Sequence, residues 1–188
     1  MTLLGKPNTR GCDGVGRPRL GRFFFAALAG WLAVSRAVAH EPLDISTRIT
    51  IHGDRLELVS TLGTDGMRQL LASTGSSPAK IAESLRSLGP DKPVLHAPRV
   101  AARFFSCVSN GQPLVAKTVK SVSEGAEILL TVIFPRPAPG TLVVRATCYE
   151  TIPGLHKGVL LIEDEPTGPL DSAMLSSAKM QLTVTVPD

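Results

Sequence analysis

Aromatic residues are scarce in this sequence: six Phe, one Tyr and one Trp make up 4% of its 188 residues. Carbohydrate clefts and base-stacking platforms depend on exposed aromatic faces, so neither is supported. Also missing are a G-x-S-x-G elbow, an H-E-x-x-H pair, a Walker loop, a dinucleotide glycine fingerprint and an EF-hand loop. No motif selects a catalytic Ser, His and Asp from those present, which argues against an enzyme. No apolar run reaches the roughly 18 residues a spanning helix needs. No internal repeat or low-complexity tract marks a second domain.

What is present, first of all, is a leader. Lys6, Arg10, Arg17, Arg19 and Arg22 precede the apolar run Phe23 to Val34, and Ala37-Val38-Ala39 supplies a small-x-small cleavage pattern. The expectation is a signal peptide over 1–39 and an exported domain over 40–188 that begins at His40. The apolar run would extend only about 18 Å as a helix, against roughly 30 Å of hydrocarbon, so no membrane span is expected in the mature chain. No Arg-Arg pair precedes the run and no Cys lies near the cleavage site, which excludes a twin-arginine signal and a lipid anchor there.

The leader carries six of the 20 Lys/Arg and one of the 16 Asp/Glu, leaving 14 basic and 15 acidic residues, a net of −1. The whole-chain pI of 9.2 is therefore mostly the leader's and is not a nucleic-acid footprint. Cys12 also falls in the leader, leaving Cys107 and Cys148. In an oxidising compartment that even pair is expected to form one disulfide, closing a loop of about 40 residues for about 4 kcal/mol. Two separately buried thiols are the alternative.

Downstream, apolar residues alternate. Ile45, Thr47, Ile49 and Ile51 share one face, as do Leu56, Leu58, Ser60 and Leu62 after the turn His52-Gly53-Asp54, so a hairpin opens the domain. Ser77 as N-cap, Pro78 at the first helical position and Ile81, Leu85 and Leu88 at i, i+4, i+7 predict a helix stopped by Gly89-Pro90. A shorter turn of helix fits Asp65 to Ala72. Six further strands are expected: Arg99 to Val108, Leu114 to Val122, Glu127 to Phe134, Thr141 to Tyr149, Lys157 to Ile162 and Lys179 to Val186. Eight short strands at this spacing predict a mainly β fold, a two-sheet antiparallel sandwich of Greek-key, Ig-like kind with one or two short covering helices.

Two groups of residues could bind metal. His40, as a first residue, could chelate Cu(II) through its amine and imidazole, with His52, His96 or His156 as a further ligand. Copper-resistance CopC-like sandwiches are the comparison, and the further His and Met pattern expected beside such a site is missing here. Glu163-Asp164-Glu165 with Asp171 forms an acidic loop, but three successive acids cannot all turn inward toward a calcium ion, so a solvated strand end is expected.

The layout resembles the periplasmic β-rich region that precedes the membrane helices of HupE/UreJ-like proteins. The matching features are His40-Glu41-Pro42 after the cleavage site, the hairpin Ile45 to Leu62 and a Cys-bearing strand ending in Asn110-Gly111. Leu155-His156-Lys157 leading into Val159 to Ile162 completes them. An acidic residue expected shortly before the late His is replaced by Pro153-Gly154. The sequence holds no membrane helices and no His-rich transport segment, so the resemblance implies a periplasmic domain and carries over no transport. The expected function is a non-catalytic binding or interaction module of the bacterial cell envelope, without cofactor unless His40 binds copper. An envelope protein is the expected partner, docking on the edge strand Lys179 to Val186, and nucleic acid is not.

Overall fold

A computed structural model describes residues 45–89, 92 and 94–188. Strands β1 (Ile45–Ile51) and β2 (Arg55–Gly63) form the expected hairpin, in register from Ser46↔Thr61 to Ile51↔Leu56. Their inward faces are those the alternation predicts: Ile49, Ile51, Leu56 and Leu58 are fully buried. Burying one such aliphatic side chain is worth about 1.5–3 kcal/mol, and a one-residue slip would expose the whole set, so the register is strongly fixed. One buried position on each strand is polar. Thr47 and Ser60 are register partners, and their hydroxyls bond each other at 2.8 Å. Ser60 also donates to the Ser46 carbonyl at 3.2 Å, so neither oxygen is orphaned.

This hairpin is the centre of a six-stranded sheet. The remaining members are β5 (Thr118–Glu124), β6 (Glu127–Pro135), β8 (Lys157–Asp164) and β9 (Gly168–Ser176), in the order β5-β6-β2-β1-β8-β9. All neighbours are antiparallel except β1 and β8, which run parallel. A second sheet has the order β10-β7-β3-β4, from β3 (Ser106–Ser109), β4 (Gln112–Pro113), β7 (Gly140–Arg145) and β10 (Gln181–Val186). Buried residues of both sheets and of the helices make one hydrophobic cluster. The fold is the mainly β, two-sheet sandwich with short helices that the strand spacing predicts.

Asn110 and Gly111 both have positive φ, 48° and 79°, which closes a two-residue hairpin between β3 and β4. The Asn110 side chain then reaches sideways, donating to the Pro139 carbonyl and accepting from the Thr141 N–H, both at 2.8 Å. That pair fastens the turn to the start of β7, where Gly140 adopts φ 116°.

Four helices occur among the described residues, and they carry most of the departures from expectation. Helix α1 (Thr64–Ser73) follows β2 directly, with Asp65 in its first turn and Met67, Leu70 and Leu71 buried. Helix α2 (Pro78–Arg86) starts after Ser77 as expected, but it ends before Leu88, and Gly89 instead bridges to Ser121 at the β5 edge. Helix α3 (Ala97–Phe104) replaces the first half of the strand expected over Arg99 to Val108. Pro98 sits in its first turn, and Val100, Ala101 and Phe104 form its buried stripe. Phe105 is extended and buried, its ring edge-on to Phe104 at 5.0 Å, and only from Ser106 does the chain become a strand.

The strand expected over Thr141 to Tyr149 is also corrected. Strand β7 ends at Arg145, Ala146 donates to the Met180 carbonyl, and the chain turns into α4 (Cys148–Thr151). Strand β9 is absent from the sequence expectations because its first half, with burial only intermediate or exposed, shows no clear alternation.

Candidate functional site

Of the residues singled out in the sequence, the structure brings His52 and Glu165 together. His40 lies outside the described residues, and with it the copper chelate. His52 closes β1 between two carboxylates, Nδ1 at 3.0 Å from Glu165 Oε2 and Nε2 at 3.5 Å from Glu57 Oε2. These sit on opposite ring nitrogens, so they cannot join the imidazole around one metal. His96 is a left-handed residue capping α3 and His156 lies exposed in the loop before β8. Among the described residues no group of three or more His, Cys, Asp or Glu could hold a metal ion.

The expected disulfide is likewise not formed. Cys107 on β3 and Cys148 at the start of α4 are both free and buried. Cys107 faces Val144 in register, but β7 does not continue to Cys148, because the backbone turns helical after Ala146. Burial in apolar surroundings pushes both thiols up to about 12, which makes them unreactive as nucleophiles in the fold.

The acidic loop is only partly solvated. Glu163 accepts from Thr50 at 2.9 Å and lies 3.9 Å from Arg48, while Glu165 meets His52. Asp164 instead turns inward and is 1% exposed; Oδ2 accepts from Thr167, and Oδ1 has no partner among the described residues. The edge strand expected near the C-terminus does form the margin of its sheet as β10, with the turn before it closed by a Ser176–Lys179 bridge.

The arrangement with the most chemistry is one that the sequence reading missed. An open cleft of about 450 Å³ lies between the end of α1, one face of α3 and α4. Helix C-termini leave carbonyls without intrahelical partners, and hydroxyls around the cleft take several of them up. Thr147 and Thr151, four residues apart, donate to the Ala102 and Arg103 carbonyls at 3.1 and 2.9 Å, docking α4 on the last turn of α3. At the end of α1, Ser73 and Thr74 donate to Leu70 and Leu71 carbonyls at 2.7 Å each. Arg99 Nη1 reaches across to the Thr74 carbonyl at 3.4 Å.

No protein-family model matches the chain, and no curated protein matches it.

Charge is distributed unevenly around this cleft. Glu150 is paired with Arg145. The Arg99 guanidinium makes its one bond to Thr74, and the Arg103 guanidinium has no hydrogen-bond or ion-pair partner among the described residues. Each guanidinium has five N–H donors, so almost all of them are unused. The signal for the site was present in the sequence: Arg99 and Arg103 are spaced i, i+4, while Val100, Ala101 and Phe104 occupy another face of the same helix. A second groove of about 560 Å³ between α1 and α2 is more apolar, bordered by Ile81, Leu85, Arg68 and Arg86.

Proposed function

We propose that the chain is an exported, non-catalytic binding module of the bacterial cell envelope, and that its ligand sits in the cleft between α1, α3 and α4. One observation carries this reading. Every hydroxyl lining the cleft already donates to a main-chain carbonyl, whereas two guanidiniums on its rim are largely unpaired. A hydroxyl held in that way has no base to take its proton, and no His, Lys or Cys lines the cleft. Glu150, the one carboxylate of the lining, is engaged by Arg145, and this chemistry suits holding a ligand rather than transforming one. The cavity volume lies within the range usual for small-molecule sites, roughly 300–1,000 Å³. The leader-like segment 1–39 and the likeness to the periplasmic region of HupE/UreJ-like proteins support the envelope setting.

The test is equilibrium dialysis of the purified protein against a periplasmic small-molecule extract, read by mass spectrometry beside Arg103→Gln. The expected result is a compound enriched by the native protein, recovered unaltered, and not enriched by the variant. Recovery of a chemically changed compound would reopen an enzymatic function. Absence of any enriched compound would remove the cleft as a ligand site.

A further inference from the structure

We infer that the cleft takes a small hydroxylated oxyanion, a sugar acid or a sugar phosphate, with its anionic group on Arg99 and Arg103. This rests on the cleft being the ligand site and assigns the chemical class. Two features of the cleft select it.

The first is net charge. The C-terminal ends of α1 and α3 both face the cleft, and each contributes about −0.5 elementary charge. Against them stand two guanidiniums, while the charge of Glu150 in the lining is offset by Arg145, which stands outside the lining. The sum is about +1, so an anion is favoured even after the helix dipoles are counted. A guanidinium fork binds carboxylate and phosphate oxygens with paired N–H donors, and two of them one helical turn apart can share a single oxyanion.

The second is the state of the hydroxyls. With their protons committed to carbonyls of Leu70, Ala102 and Arg103, the Ser73, Thr147 and Thr151 oxygens can only accept, whereas buried Thr74 is already bonded to Ser76 at 3.0 Å. They match a ligand that brings donors of its own, such as the hydroxyls of a sugar. A bare inorganic anion would leave those acceptors unused, and a cation or an apolar ligand would leave the guanidiniums unpaired.

Gluconate, glucose 6-phosphate, inorganic phosphate and glucose, titrated separately and followed by backbone amide NMR shifts, distinguish the outcomes. Saturable shifts at Ser73–Thr74, Arg99–Arg103 and Thr147–Thr151 are expected from gluconate or glucose 6-phosphate. The one that saturates at lower concentration identifies carboxylate or phosphate as the anion. Inorganic phosphate should bind at least tenfold more weakly and glucose should not saturate. Arg103→Gln should weaken binding by about tenfold to a hundredfold. Its thermal midpoint should be unchanged, because the carbonyl that Thr151 bonds is kept and the Arg103 side chain makes no hydrogen bond or ion pair in the fold. Lys179→Gln, an exposed charge in the turn before β10, should bind as the native protein does. Saturation by glucose alone, or binding indifferent to Arg103→Gln but mapped to the same amides, would overturn the oxyanion class and keep the cleft. No shift at those amides from any probe would overturn both.

Discussion

The β1–β2 hairpin and the segment that builds the cleft, from Ala97 to Thr151, obey different rules. In the hairpin each buried side chain is two residues from the next, and its partner strand follows after a three-residue turn. Local pattern and global position agree. In the cleft segment, α3 is 8 residues long and α4 is 4, lengths at which an isolated helix is not stable in water. These helices exist because Phe104 is buried and because hydroxyls from one cap the carbonyls of another. The hairpin is therefore held chiefly by apolar alternation, and the cleft by polar caps over a few apolar anchors.

The largest expected effect breaks the anchors on each side. Phe104→Ala should cost about 3–5 kcal/mol and Leu58→Ala about 2–5 kcal/mol in denaturant unfolding, since both side chains are fully buried. The two should differ in what is lost first. Phe104→Ala should abolish hydrogen-exchange protection of the α3 and α4 amides well below the global transition, whereas Leu58→Ala should lower all core amides together. Equal behaviour of the two variants would dissolve the distinction.

Next comes the response to alkali, which acts through Cys107 and Cys148. Their folded-state values are raised from 9.0 to about 12 by burial, so the thiols stay protonated in the fold while the unfolded chain ionises. A raised value contributes stability that is complete below pH 9 and is lost as pH climbs toward 12. At pH 10 the loss is on the order of 1 kcal/mol per thiol. Stability measured from pH 8 to 10 should fall more steeply for the native protein than for the C107A/C148A double variant. The same slope in both would show that the thiols are accessible or bridged, and a thiol count after denaturation would say which.

An effect of comparable size is expected at Gly140. Its φ of 116° is one that side-chain-bearing residues rarely adopt, and an added Cβ would stand 2.5 Å from Asn110 Oδ1. Gly140→Ala should destabilise by about 1–3 kcal/mol. Asn110→Ala in that background should cost less than it does alone, because the clash and the staple share one side chain. Additive losses would refute the staple.

The smallest expected effect belongs to the buried polar pair of the hairpin. Ser60→Ala alone should cost about 1–2 kcal/mol, since it leaves the buried Thr47 hydroxyl without its partner, and Thr47→Val about 0.5–1 kcal/mol, since Ser60 keeps the Ser46 carbonyl. The double variant should lie close to the native protein, because no orphan remains. A double variant as unstable as the sum of the singles would mean that the pair does not act as a unit.

Sequence by itself determined the hairpin, the inward faces of β1 and β2, the entry to α2 at Ser77-Pro78 and the two-sheet character of the fold. Those features depend on periodicity and turn chemistry within a few residues. Ala97–Phe104 reads as either strand or helix over so short a span, because Val100, Phe104 and Cys107 fit both periods loosely. Only packing against β5 and α1, with Pro98 in its first turn, makes it helical. The chain turns helical after Ala146 where Thr147 and Thr151 bond the carbonyls of Ala102 and Arg103, residues 45 and 48 positions away. The cleft depends on both decisions. Its arginines are visible in the sequence, but their unpaired state is a property of what surrounds them, and that is set by tertiary contacts alone.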